Sequence, residues 1–188
     1  MKKIVLTFGL ISGAILSAMM LATLPFHDVI GFDRGLIVGY TTMVLAFLLV
    51  FFGVRSYRDN VAGGTVGFGR AFTVGGLIAL VASLCYVATW EVVYFNHLAP
   101  DIMTEYQAYV IDKARADGET EEAIARRKAQ MDRDAELYKN PAINAAYTFM
   151  EPLPVALIVA LVSAGLLSRR RKREEAEVGV MPGARVTT

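Results

Sequence analysis

The chain has 188 residues, 55% of them hydrophobic, and a mean hydropathy of +0.44, an apolar load that excludes an ordinary water-soluble domain. Its formal charge of +1 conceals a strong segregation of sign along the sequence, so partners are read from where the charges fall. The single cysteine, Cys85, excludes an intrachain disulfide and the zinc patterns that need several thiolates, and it reads as a small packing residue.

Lys2 and Lys3 precede residues 4–24, an uncharged run of ~20 residues and so long enough to cross a bilayer. A basic start before an apolar run also describes a secretory signal, but signal cores span about 7 to 15 residues, so a retained span is expected here. Pro25 ends it. A short link carrying His27, Asp28 and Asp33 leads to a second span at about residues 35–54, stopped by Arg55 and Arg58. Gly63, Gly64, Gly67 and Gly69 fill the next link and fit neither nucleotide-binding fingerprint, so a tight re-entry turn is expected in preference to a phosphate cradle. The third span, about residues 71–94, ends with Trp90 and Tyr94, which suit an interfacial aromatic belt.

Residues 101–140 form the one substantial polar region. Ile102, Tyr106, Tyr109, Val110 and Ala114 recur at helical spacing, and Gly118 is a stop. Thr120 is an N-cap followed by Glu121 and Glu122 in a first turn, with Ile124, Lys128, Met131, Ala135 and Tyr138 on one side and Pro141 at the end. Two helices joined at a glycine predict a hairpin. The fourth span, about residues 145–167, carries Glu151, Pro152 and Pro154 in its outer part, where a kink is expected. It stops at Arg169, Arg170, Arg171, Lys172 and Arg173, which orient the chain and attract anionic lipid; these lie against the membrane without interleaved aromatics, so nucleic acid is not an expected partner. Residues 1–173 are read as a single four-helix transmembrane domain and residues 174–188 as a disordered cytoplasmic tail.

Cytoplasmic loops hold the excess of Lys and Arg. Lys2, Lys3, Arg55, Arg58, Arg70 and the basic run at 169–173 share one side if four spans alternate, so both termini are expected in the cytoplasm and the hairpin outside.

The stretch Val54, Arg55, Ser56, Tyr57, Arg58, Asp59, then Gly63 through to Phe72, resembles a bacterial membrane family, domain of unknown function 4199. Pro100 and Asp101, the segment Leu137, Tyr138, Lys139, Asn140, Pro141, then Thr148, Phe149, Met150, Glu151 with Pro154 and Val155, and the basic end, are similar in the same order. The resemblance implies a four-span bacterial membrane protein with no settled activity, and the inner membrane is the expected location.

Glu91 and Glu151 are the candidate functional acids, because a carboxylate near the end of an apolar span is costly unless paired, hydrated or protonated. With spans three and four joined by the hairpin, the two acids fall at one level, where they either share a proton or cation or sit separately in the wet interface. His27, Asp28, His97 and Asp101 lie on the same side without metal-ligand spacing, so no metal is expected. Gly9 with Gly13, and Gly35 with Gly39, are four apart, a spacing that brings helix backbones together inside the bundle or across a homodimer. Thr41, Thr42, Ser83 and Thr89 are expected to hydrogen-bond within the bundle. No catalytic or cofactor signature is present, so a non-enzymatic protein acting through contacts of its hairpin with an envelope partner is expected; the alternative is a small oligomeric carrier or ion-conducting protein using Glu91 and Glu151.

Overall fold

The computed structural model describes residues 1–98 and 102–178, with the backbone alone at 27–28 and 169–178. Its helices are α1 (Lys2–Thr23), a 3-10 turn (Leu24–Phe26), α2 (His27–Ile30), α3 (Phe32–Asn60), α4 (Phe68–Phe95), α5 (Ile102–Ala116), α6 (Glu121–Tyr138), α7 (Pro141–Met150) and α8 (Leu153–Val178); no strand occurs among the described residues. Pro100, Asp101 and residues 179–188 lie outside the description, as do the side chains of His27, Asp28 and the basic run at 169–173. The backbone helix of α8 runs on to Val178, past residue 173 where the sequence reading ended the domain.

Three helices are long and apolar enough to cross a membrane, and α7 with residues 153–168 of α8 passes the same test as a bent pair, broken by 43°. The bend has a covalent cause. Neither Pro152 nor Pro154 has an N–H to give to the carbonyl four residues back, so the ladder fails at Thr148 and Met150. Helical bonding resumes where Ala156 N–H reaches Pro152 O at 2.9 Å.

The bundle is apolar outside, and its interior mixes large side chains such as Phe47 and Ile78 with many small ones. Leu6, Leu10, Leu45, Leu48, Ile158, Leu161 and Val162 are exposed, whereas Ala46, Ala71, Ala82, Ala160, Ala164 and the hydroxyls of Ser12, Ser83 and Ser163 are buried. In lipid, where apolar burial does not distinguish protein from solvent, small residues allow the close packing and short hydrogen bonds that hold helices together. Ser12 Oγ donates to Ala46 O at 2.8 Å, tying α1 to α3.

Gly9 and Gly13 make the closest approach. A Cβ at Gly9 would stand 2.7 Å from Val81 Cβ, and one at Gly13 would stand 2.6 Å from Cys85 Cβ, so α1 lies directly on α4. The pairs 9 with 81, 13 with 85 and Ser17 with Thr89 advance together, which makes α1 and α4 parallel. Tyr57 with Arg70 and Gly53 with Ile78 advance in opposite directions, as do Gly75 with Ala160 and Tyr86 with Glu151, so α3 and α8 run antiparallel to α4. Gly35 and Gly39 take no part in the packing inside the bundle: among the described residues a Cβ on either meets nothing within 4 Å.

At the end holding Lys2, Gly63 and Gly64 take positive φ values and turn the chain tightly from α3 into α4, as expected of that link. Arg70 Nε donates to Tyr57 Oη at 3.0 Å and the buried Arg58 pairs with Asp59 at 2.7 Å.

At the other end, Gly118 breaks α5 with Glu119 N–H returning to Ala114 O at 3.0 Å, and Thr120 caps α6 by accepting from Ala123 N–H at 3.3 Å. Ile111, Ala114 and Ile124 form the seam, and Gln107 Nε2 reaches Met131 O at 3.3 Å, so the two helices lie antiparallel. Pro141 opens a helix instead of merely closing one: Asn140 Oδ1 caps α7 by accepting from Ala142 N–H at 3.0 Å, and Pro141 occupies the first turn, where no N–H is needed.

Candidate functional site

The α5/α6 pair is fastened to the bundle at two places. On one side Phe32 of α3 packs against Tyr106 and Tyr109, with centroids 5.4 and 5.2 Å away, and Lys113 Nζ lies 2.9 Å from Asp33 Oδ1. That bond holds the Lys113 ammonium above the ordinary lysine range. On the other side Trp90 Nε1 donates to Tyr138 Oη at 2.8 Å. Tyr138 Oη is also 3.3 Å from Thr148 Oγ1, Thr148 reaches Asn144 Oδ1 at 3.4 Å, and Asn144 Nδ2 returns to Tyr138 O at 3.2 Å. Asn144 and Thr148 are buried, so this ring of polar groups satisfies itself away from water, as buried polar groups must. Burial keeps the Tyr138 hydroxyl above its usual value and therefore a neutral phenol.

Tyr86, Trp90 and Tyr94 recur every four residues and make one stripe on α4 facing this joint. Tyr94 meets Tyr138 edge to face at 5.3 Å and Tyr138 meets Tyr147 at 6.1 Å. Trp90, half-buried, thus joins α4 to the end of α6.

One turn below, Tyr86 Oη donates to Glu151 Oε2 at 2.9 Å. Glu151 stands at the C-terminus of α7, where the proline break swings the backbone and aims its side chain at α4. Both residues line a cavity of about 250 Å³ between the α5/α6 ends of α1 and α3. Leu16, Met20, Gly35, Gly39 and Met43 form its apolar walls, Thr42 lies among them, and Ile102 and Tyr106 of α5 close it from above. Tyr86 and Glu151 also line a second hollow with Trp90, Tyr138 and Thr148. Glu151 is exposed and lines both spaces.

The structure does not bring Glu91 and Glu151 together. Glu91 lies five positions after Tyr86, which places them about 140° apart around the helix at 3.6 residues per turn. Glu91 Oε1 is enclosed and accepts no hydrogen bond among the described residues, and Glu91 lines neither cavity.

Other sequence candidates have local roles. His97 has φ of 53°, with Leu98 N–H bonded to Val93 O at 3.0 Å, and so terminates α4 in the left-handed conformation that His tolerates better than most residues. Thr89 Oγ1 lies 2.7 Å from Ser17 Oγ and Ser83 is buried, both within the bundle, whereas Thr41 is exposed and Thr42 belongs to the cavity wall. Sequence reasoning missed Tyr86, Tyr138 and Asn144; the signal available was the four-residue spacing of aromatics on α4 and the polar Asn144 beside an apolar run.

No curated protein and no solved structure matches the chain. Its helices long and apolar enough to span a bilayer mark it as a membrane protein, and it belongs to the family described as proteins of unknown function, DUF4199, whose model matches residues 7–169.

Proposed function

We propose that this is a four-span protein of the bacterial cytoplasmic membrane, with both termini inside, that works without catalysis by presenting the α5/α6 hairpin outside the membrane to another envelope component. The observation that carries the reading is the double fastening of the hairpin, through Lys113 with Asp33 and through Tyr138 with Trp90. A segment held at both ends loses little conformational entropy when it binds, which favours recognition by a rigid surface. The surface offered carries both signs, with Glu122, Arg126, Lys128, Asp132 and Arg133 all exposed on α6. Paired partly along the helix, these charges favour orientation and choice of partner over raw affinity.

Photocrosslinking in living cells tests this reading. A crosslinker replacing Arg126 or Arg133 yields a discrete adduct with one envelope protein, while the same group at the lipid-facing Leu48 yields none. Identical adduct patterns from all three positions contradict it.

The cavity favours a second reading, a small oligomeric carrier. Glu151 supports it by its position between helices, whereas Glu91 has no shared partner with it. Flux in reconstituted vesicles that is unchanged by Glu151→Gln removes this alternative.

A further inference from the structure

We propose that the cavity between α1 and α3 binds an amine-bearing amphiphile from the surrounding bilayer, its ammonium on Glu151 and its first carbons along the walls made by Met20, Gly39 and Met43. This site is separate from the hairpin surface, and its occupant is a lipid-like molecule instead of a protein.

Charge complementarity identifies the headgroup. Among the described residues that line the cavity, Glu151 alone carries a formal charge. Tyr86 engages its Oε2, and Oε1 has no hydrogen-bond partner among the described residues. A carboxylate with one oxygen anchored and the other free, set in an otherwise apolar wall, suits a compact ammonium with three donors. The tyrosine fixes the carboxylate in place before a ligand arrives, so the site loses little freedom on binding.

The walls identify the remainder. At about 30 Å³ for a water-sized group, a cavity of about 250 Å³ holds roughly eight non-hydrogen atoms. That is an amine and a short run of carbons, with the rest of the molecule outside. The way out leads to lipid: Met19, Leu36, Val38 and Tyr40 line the cavity and are exposed on the bundle surface. Gly35 and Gly39 keep this side low, since each lines the space and neither carries a side chain into it. The close four-residue glycine spacing that packs α1 on α4 at Gly9 and Gly13 thus opens a recess on α3. Ile102 and Tyr106 cover the end nearest α5, directing a ligand to enter sideways from the bilayer.

The test uses the full chain in lipid nanodiscs with three photoactivatable twelve-carbon probes that differ only in the head: amine, alcohol and carboxylate. Saturable labelling by the amine is expected, mapping to peptides of α1 around Met20 and of α3 around Gly39, with weaker labelling by the alcohol and least by the carboxylate. Glu151→Gln is expected to lower the affinity for the amine at least tenfold and to leave that for the alcohol unchanged. Gly39→Phe, whose Cβ meets nothing within 4 Å and whose ring is meant to fill the space that Gly39 lines, is expected to abolish labelling by amine and alcohol alike. Equal labelling by all three heads overturns the proposal, as does amine affinity unaffected by Glu151→Gln or by Gly39→Phe. Hairpin adducts formed by crosslinkers on α6 persist in Gly39→Phe, so loss of this site and loss of a hairpin partner are separately visible.

Discussion

Tyr86 and Glu151, 65 positions apart, meet through a 2.9 Å hydrogen bond at the break between α7 and α8. The bond joins the middle of α4 to the bend between α7 and α8. Replacing Tyr86 by Phe is expected to cost about 1.5–3 kcal/mol, the usual net value of a hydrogen bond to a charged group, seen as a lower thermal midpoint in detergent. Glu151→Gln keeps an acceptor for the phenol and is expected to cost less. A larger loss for Gln than for the Tyr86 variant contradicts a stabilising role for this bond.

Gly13 and Gly35 look alike in sequence and are opposite in structure. A side chain at Gly13 must displace Cys85, so Gly13→Val is expected to destabilise the protein by about 1–3 kcal/mol, the typical cost of overpacking. Gly35→Ala meets open space and is expected to leave the midpoint unchanged or slightly higher. Parallel melting curves of the two variants check the contrast.

Tyr138→Phe removes the acceptor for the indole N–H of Trp90 and opens the ring formed with Thr148 and Asn144. Leaving a partly buried donor unsatisfied costs about 1–3 kcal/mol. Since Tyr138 ends α6, the loss is expected to appear as faster proteolysis between Ile102 and Tyr138, with the apolar helices still protected. Uniform loss of protection would show that the joint holds the whole bundle.

The Lys113 fastening has a defined pH behaviour. Its ammonium is held above the ordinary lysine range by Asp33, so the contribution is complete below the unfolded value and disappears only as pH rises through the raised folded value. Hydrogen exchange in α5 is therefore expected to show unchanged protection from neutral into mildly alkaline conditions once the intrinsic rate is corrected. Lys113→Met is expected to reduce protection in α5 throughout that window, and equal protection in wild type and variant would contradict the fastening.

How much of this was legible follows from the range over which each signal acts. Length and charge set the long helices, prolines at 152 and 154 set the kink, and Gly118 with Thr120 set the turn between α5 and α6, all within a few residues of the feature they cause. Tyr86 was not legible, because in an apolar run a tyrosine facing lipid and one facing a carboxylate look the same. Glu91 was paired with Glu151 by height along the helices; rotation around α4 decides the matter and separates them. Gly35 and Gly39 were read for packing because the spacing that admits a helix also leaves a recess when no helix comes. Arg58 was read as a stop, and its burial beside Asp59 depends on how α3 meets its neighbours.

The most direct measurement of the proposed arrangement is labelling of single introduced cysteines in intact cells with a membrane-impermeant maleimide, on a Cys85→Ala background. Asp117, exposed at the turn between α5 and α6, and Arg55, exposed near the far end of α3, are the positions to compare. Asp117→Cys is predicted to react in intact cells and Arg55→Cys only after lysis. Reaction of both from the outside, or of Arg55→Cys alone, would contradict the placing of the hairpin outside and the termini within.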